Sequence, residues 1–181
     1  MKRTVFGGLA LALVAGLAVY LGDALNLGLP NPLLGVAVGG VLAFAPGGHK
    51  LGRLAGFLVG VLLALVGYAV NAGFMPSNST GVAITAVLTL GLATAAAGLS
   101  FGRMPLWSVL LGVGAFVGAY DYIFNADVPE FLTTSVQTLG RFLVVFGIGY
   151  LTAAVIDLVF PDESEKAEPA PQELETVGSE I

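Results

Sequence analysis

Apolar runs of membrane-spanning length follow one another from Val5 to Phe160, broken by short clusters rich in Pro, Gly, Asn and Ser. A bilayer-crossing helix needs about 20 apolar residues, and the runs Val5 to Gly22, Leu51 to Val70, Gly81 to Leu99, Pro105 to Phe124 and Leu139 to Phe160 all meet that length. Hydrophobic residues make up 56% of the 181-residue chain and charged residues only 10%, against roughly 25% charged in a soluble domain. A soluble fold of this size has too little interior to hide that surface, so lipid is the solvent and the expected class is all-α.

The odd member is the stretch Pro30 to Arg53. Its apolar core, Leu33 to Ala45, is short, and Pro30, Pro32 and Pro46 bracket it. Proline is tolerated in a first helical turn because its missing N–H had no partner there, and Pro46-Gly47-Gly48 supplies a stop. Counting Asn31 to Ala45 as a crossing gives six spans. Phe131 to Phe160 is too long for one simple crossing, so Pro129 to Thr138, with its Thr, Ser and Gln side chains, is expected to form an interfacial or cavity-lining turn of helix before the sixth span, Leu139 to Phe160. Met75 to Thr80 supplies capping side chains for the fourth span. Met1-Lys2-Arg3 followed by Val5 to Gly22 has the charge layout of a signal peptide, but the run is long for one and no small-residue cleavage site follows. A retained first span is expected.

Charge sets the orientation. Lys and Arg collect in cytoplasmic loops, and with six spans and the N-terminus inside, Lys2, Arg3, Lys50, Arg53, Arg103 and Lys166 all fall in the cytoplasm. Arg141 alone falls near the outer end. The expected setting is the plasma or inner membrane, multi-pass, with both termini cytoplasmic. The net charge of −5 belongs to the tail: from Pro161 onward there are seven acids and one base, Lys166. Low hydrophobicity, high charge and prolines make 161–181 a disordered acidic tail, available to a cytoplasmic protein partner. A nucleic-acid partner is not expected.

Two three-span copies are discernible, 4–73 and 80–160. Leu51-Gly52-Arg53 opens the third span and Leu139-Gly140-Arg141 the sixth; Leu33-Leu34-Gly35-Val36 lies in the second and Leu110-Leu111-Gly112-Val113 in the fifth. An odd number of spans per copy inserts the copies upside down relative to each other, an inverted 3+3 arrangement common among channels and carriers. Small residues four apart let helices approach closely in lipid. Gly35 with Gly39, the row Gly52, Gly56 and Gly60, and Gly114 with Gly118 are the expected packing positions, within the bundle or between copies of a homo-oligomer. Tyr20, Trp107, Tyr120 and Tyr122 fall near span ends, as an interfacial aromatic belt requires.

Candidates for chemistry are few. There is no cysteine and one histidine, so no multi-histidine or cysteine-based metal centre is available, and no cofactor is expected. Ionisable groups in a bilayer are costly and often functional, which selects Asp121 and Arg141, either as an ion pair locking neighbouring helices or as pathway groups. His49, beside Lys50, is a gating candidate or a solvated loop residue. Asn31, ahead of Pro32, resembles an aquaporin half-helix start without its alanine or its second copy. Tyr120-Asp121 resembles half of an intramembrane aspartyl protease motif, but the required second aspartate in a glycine-rich context is absent, and an enzyme is not expected.

The turn Phe44-Ala45-Pro46-Gly47-Gly48-His49-Lys50-Leu51-Gly52, with the hydropathy profile from Val5 to Phe160, resembles a family of small uncharacterised bacterial inner-membrane proteins. Ala45 stands where that family has a cysteine. The resemblance implies an integral membrane protein of this size and transfers no functional residues. Two functions are carried forward: a small-solute channel or carrier, lined by the second and fifth spans with Asn31, His49, Asp121 and Arg141 as polar candidates, or a non-transporting scaffold or accessory subunit that works through its tail.

Overall fold

The structure, a computed structural model, describes residues 2–45, 49–76, 78–126 and 128–160, with the side chains of 2–4 excepted; the tail and the Pro46-Gly47-Gly48 stop lie outside the described residues. Leu, Val, Ala and Gly dominate the apolar runs, and in lipid their backbone groups find partners within a helix. The described elements are α1 (Lys2–Ala24), α2 (Pro32–Phe44), α3 (Lys50–Phe74), α4 (Ser79–Leu99), α5 (Leu106–Ala126) and α6 (Phe131–Val159), with one 3-10 turn, Val128–Glu130, ahead of α6. Five of the helices are long and apolar enough to cross a membrane.

Local chemistry accounts for the boundaries. Asn78 caps α4, its side-chain oxygen accepting from the Gly81 N–H at 3.0 Å. The α1–α2 loop places Asn26, Gly28 and Asn31 in the left-handed region, which Gly enters freely and Asn more readily than most residues. Helix α2 has 13 residues, about 20 Å at the α-helical rise, against a hydrocarbon core of about 30 Å.

One expectation about the last apolar region is overturned. Residues 131–159 form a single continuous helix of 29 residues, with no separate interfacial turn before Leu139. The hydroxyls that marked 131–138 as interfacial bond back onto their own helix: Thr134 donates to Glu130 O at 2.9 Å and Ser135 to Leu132 O at 3.4 Å. Such back-bonding lets Ser and Thr continue a helix in apolar surroundings.

The side-chain contacts fix helix directions. Phe6 stacks on Phe160, so α1 begins where α6 ends. Lys50, opening α3, pairs with Asp157 near the end of α6 at 2.7 Å. Gly35 and Gly39 of α2 advance along Val145 to Tyr150 of α6, and Gly56 and Gly60 of α3 advance along Ser108 to Val113 of α5. Helices α3 and α4 run oppositely, Gly67 lying on Thr89 and Asn71 on Thr85. Successive helices therefore alternate in direction.

Two crossings dominate the packing, α2 on α6 and α3 on α5; α1 lies on α2 and α6, and α4 on α3 and α5. In both dominant crossings glycine meets bare backbone. A methyl group on Gly39 would land on Phe146 O, one on Gly149 on Val36 O, one on Gly60 on Val109 O and one on Gly112 on Phe57 O. Gly52 and Gly56 of the same row face Arg103 O and Ser108 Oγ, and Gly118 faces Leu34. Gly114 departs from expectation: no atom of another element lies within 4 Å of its Cβ position. It lies two positions beyond the Gly112 contact and opens onto the space between α3, α4 and α5.

Inside the crossings lies an aromatic core, with Phe57, Phe116, Tyr120 and Phe142 fully buried. Phe57 stacks on Phe146 with ring centroids 4.2 Å apart. Tyr120 is thus a core residue and does not belong to an interfacial belt, whereas Tyr20, Tyr122 and Trp107 are exposed. The outside is covered with Leu, Val and Phe; along α1 alone Val5, Phe6, Leu9, Leu13 and Leu17 are all more than half exposed.

Because backbone atoms cannot yield as a side-chain tip can, Gly60→Ala and Gly112→Ala are expected to destabilise the bundle by about 1–3 kcal/mol. Gly114→Ala should fall within about 0.5 kcal/mol of wild type or gain slightly from helix propensity. Thermal unfolding of the three variants in one detergent distinguishes these outcomes.

Candidate functional site

Small residues at a strict spacing of four build one wall of the main groove. Gly81, Thr85, Thr89, Ala93 and Ala97 are the buried residues of α4, a single stripe one residue wide. Helix α3 offers Gly67, Tyr68 and Asn71 at matching depth, and α5 offers Gly114, Val117 and Asp121. Between the three helices the stripe leaves a groove of about 310 Å³.

Its polar groups gather toward the Asp121 end. The Tyr68 hydroxyl donates to Asp121 Oδ1 at 3.0 Å. Asn125 Nδ2 donates to Asp121 Oδ2 at 3.1 Å and to the Asp121 carbonyl at 2.9 Å. Asn71 Nδ2 donates to Thr85 Oγ1 at 3.4 Å, and Thr85 donates in turn to Gly81 O at 3.0 Å. Tyr68 is wedged edge-on against Tyr120 with ring centroids 5.1 Å apart, which fixes the hydroxyl direction. Below it the Tyr120 hydroxyl shares a 2.8 Å hydrogen bond with Thr134. An apolar trough with a carboxylate, a phenol, an amide and hydroxyls converging at one end has the make-up of a small-molecule site.

Two further depressions lie at opposite ends of the bundle. One, of about 360 Å³, is bounded by Val19, Asp23, Asn26, Gly28 and Pro32 of the α1–α2 loop and its flanks. The other, of about 1220 Å³ and wide open, is bounded by His49, Gly52 and Ala55 of α3 and by the Ser100 to Trp107 segment. The shortness of α2 thus leaves a polar hollow at its start, where loop backbone dips into the bundle: Gly28 O accepts from Arg141 Nη1 at 3.2 Å, and Arg141 lies ten residues inside α6.

The four polar candidates read from the sequence do not converge. Asp121 is in the groove. Asn31 is the exposed N-cap of α2, in a left-handed conformation and making no side-chain cap bond. His49 is the exposed N-cap of α3 at the opposite end. Arg141 turns to the Gly28 carbonyl, while Asp121 is satisfied by Tyr68 and Asn125; the expected Asp121–Arg141 ion pair is not formed. Sequence reading missed Tyr68, Asn71, Thr85 and Thr89. The period-four stripe on α4 was the available signal, and the helix carrying it reads only as apolar and small.

Arg53 lies in the first turn of α3, at the opening of the third span, and is buried there, 4% exposed.

Long apolar helices alternating in direction, an apolar exterior and polar groups turned inward define a helical membrane protein. No family model, curated protein or solved structure matches this chain.

Tyr68→Phe and Asp121→Asn should each cost about 1 kcal/mol, with a coupling of roughly 0.5–1.5 kcal/mol between them because they share one hydrogen bond. Asp121→Asn and Arg141→Gln, which share no partner, should add to within about 0.5 kcal/mol. Double-mutant cycles on thermal or denaturant unfolding measure both quantities.

Proposed function

We propose that the chain is a small-solute channel or carrier of the plasma or inner membrane, built from two inverted three-helix units, 4–73 and 80–160. The observation that carries this reading is a symmetry of partners. Exchanging α1 with α4, α2 with α5 and α3 with α6 turns α2 on α6 into α5 on α3, α1 on α2 into α4 on α5, and α1 on α6 into α4 on α3. It turns α2 on α3 into α5 on α6 and leaves α2 on α5 and α3 on α6 unchanged; every one of these packings occurs in the bundle.

Residue contacts agree with the sequence offsets. Gly35 of α2 corresponds to Gly112 of α5, and the Leu-Gly-Arg alignment makes Phe57 of α3 correspond to Val145 of α6. Gly112 rests on Phe57 and Gly35 rests on Val145. A chance likeness between Leu/Gly/Val-rich helices has no reason to reproduce a contact across the bundle. Inverted units of this kind place solute sites at their interface, and the depressions at the two ends lie in corresponding places, one at the α1–α2 loop and one at the α4–α5 loop.

In this reading all six helices cross, α2 completing its passage through the loop that Arg141 holds. Irregular backbone at membrane depth is tolerated where it is buried in protein or lines a cavity. Lys50, Arg53 and Arg103 share the end at which α1 begins, and positive residues favour the cytoplasmic side. Both termini are then cytoplasmic, and the acidic tail is available to a cytoplasmic partner. The solute is held by Asp121 of α5, Tyr68 and Asn71 of α3 and Thr85 of α4, while α2 is packed too tightly on α6 to line a path. The family resemblance of the Phe44 to Gly52 turn is compatible with this assignment and adds no residue role to it.

Purified protein in liposomes should speed the entry of at least one solute in a panel of small neutral and ionic compounds over empty vesicles. Asp121→Asn with Thr85→Val should cut that flux severalfold at unchanged protein content. If every solute behaves as in empty vesicles, the scaffold or accessory-subunit reading takes its place, with deletion of 161–181 as its decisive variant.

A further inference from the structure

Arg53 is a charged side chain in the interior of the bundle, 4% exposed, with buried Nε and Nη1 atoms that have no hydrogen-bond partner among the described residues. These two nitrogens carry most of the guanidinium's donors. Arginine stays protonated in proteins, so the charge cannot be relieved by losing a proton. A buried charge without a partner carries a desolvation penalty of several kcal/mol, which a complementary anion offsets.

Among the described residues the surroundings favour negative charge. Asp157, near the end of α6, is bound to Lys50. Arg103 presents its carbonyl to Gly52, and its side chain adds a further positive charge to the same end. Helix α3 has no acidic residue in its first turn, and its N-cap, His49, makes no side-chain cap bond. The first backbone hydrogen bond of the helix is Arg53 N–H to His49 O at 3.2 Å, which leaves the amides ahead of it at the positive end of the helix dipole. Helical side chains lean toward their own N-terminus, so guanidinium and dipole act at one place.

We propose that Arg53 and the first turn of α3 form a binding site for a small oxyanion, a carboxylate or a phosphate. A planar guanidinium matches the oxygens of such groups better than it matches a spherical halide. The inference rests on the burial of Arg53 and not on transport: binding can be found in a protein that moves nothing, and flux of a neutral solute can be found without it.

The test is thermal unfolding of the full chain, first in detergent against sodium acetate and sodium phosphate, with sodium chloride at matched ionic strength. A second arm uses nanodiscs of phosphatidylcholine with and without phosphatidylglycerol. Wild type should gain a few degrees in Tm from acetate or phosphate beyond the chloride control. If the gain appears only with phosphatidylglycerol, the oxyanion is a lipid headgroup. Either gain should vanish in Arg53→Met, and Arg53→Met without anion should melt at or above wild type, because an unpaired buried charge has been replaced by an apolar chain. Arg53→Lys keeps the charge, loses the planar donors and should weaken the response about tenfold; it decides the matter if Arg53→Met does not fold. No oxyanion-specific gain in either arm overturns the proposal. So does a gain that Arg53→Met and Arg53→Lys retain in full.

Discussion

Helices in lipid gain no hydrophobic free energy from meeting, since the tails they leave are as apolar as the side chains they find. What holds this bundle is contact density, and that is set by how closely backbones approach in two crossings. Gly39 and Gly149 bring α2 onto α6, and Gly60 and Gly112 bring α3 onto α5. Each crossing joins a helix from one half of the chain to a helix from the other. The halves are therefore interlocked and do not stand as two separable three-helix bodies. The aromatic core of Phe57, Phe116, Tyr120 and Phe142 fills the space that these crossings enclose.

The same geometry decides where polar groups can be kept. Most Ser and Thr hydroxyls return to carbonyls of their own helix, as Thr94, Ser108 and Thr152 do, and leave nothing to recognise a solute. The groove between α3, α4 and α5 is different because its polar groups answer one another across helices. Asp121 is oriented by Tyr68 from α3 and by Asn125 from its own helix. At the opposite end Arg53 has lost its water without gaining such partners. A carboxylate that is satisfied and a guanidinium that is not make different demands on their surroundings, and only the second requires a group from outside the described residues.

Composition made the helical class and the lipid solvent legible, because a long uncharged Leu/Val/Ala/Gly run has few alternatives. Helix ends were legible to within a few residues wherever Pro, Gly or Asn marks them, as at Asn78. The start of α6 was not, because Thr133 to Thr138 have the composition of a wet surface while the Thr134 and Ser135 hydroxyls bond back along the chain. Gly35, Gly39, Gly56 and Gly60 each meet another helix, and Gly114 meets open space. Spacing identifies a face, but which face meets a neighbour depends on helices far away in sequence. The groove was illegible for the same reason: Asp121 stood out as an ionisable group in a span, but Tyr68 and Thr85, which come from two other helices, are not unusual alone. Asp121 and Arg141 looked like a pair because topology put both charges at one end; a shared end does not fix separation, and each had a nearer partner.

The short helix α2 is best understood together with the two arginines. Exact inverted copies would give the two ends of the bundle the same environment. In the inverted-repeat reading α5 is the counterpart of α2, and their lengths of 21 and 13 residues keep the two units from being interchangeable. The shortfall is taken up at the α1–α2 loop, which bends inward and gives Arg141 a carbonyl while leaving it exposed. Arg53, which the same reading makes the counterpart of Arg141, is buried, and its Nε and Nη1 have no partner among the described residues. In the inverted-repeat reading, one end keeps its arginine exposed and hydrogen-bonded, and the other buries an arginine whose Nε and Nη1 have no partner among the described residues. The desolvation of the Arg53 guanidinium is then a cost carried at one end and not at the other. An anion reaching Arg53 would offset that desolvation.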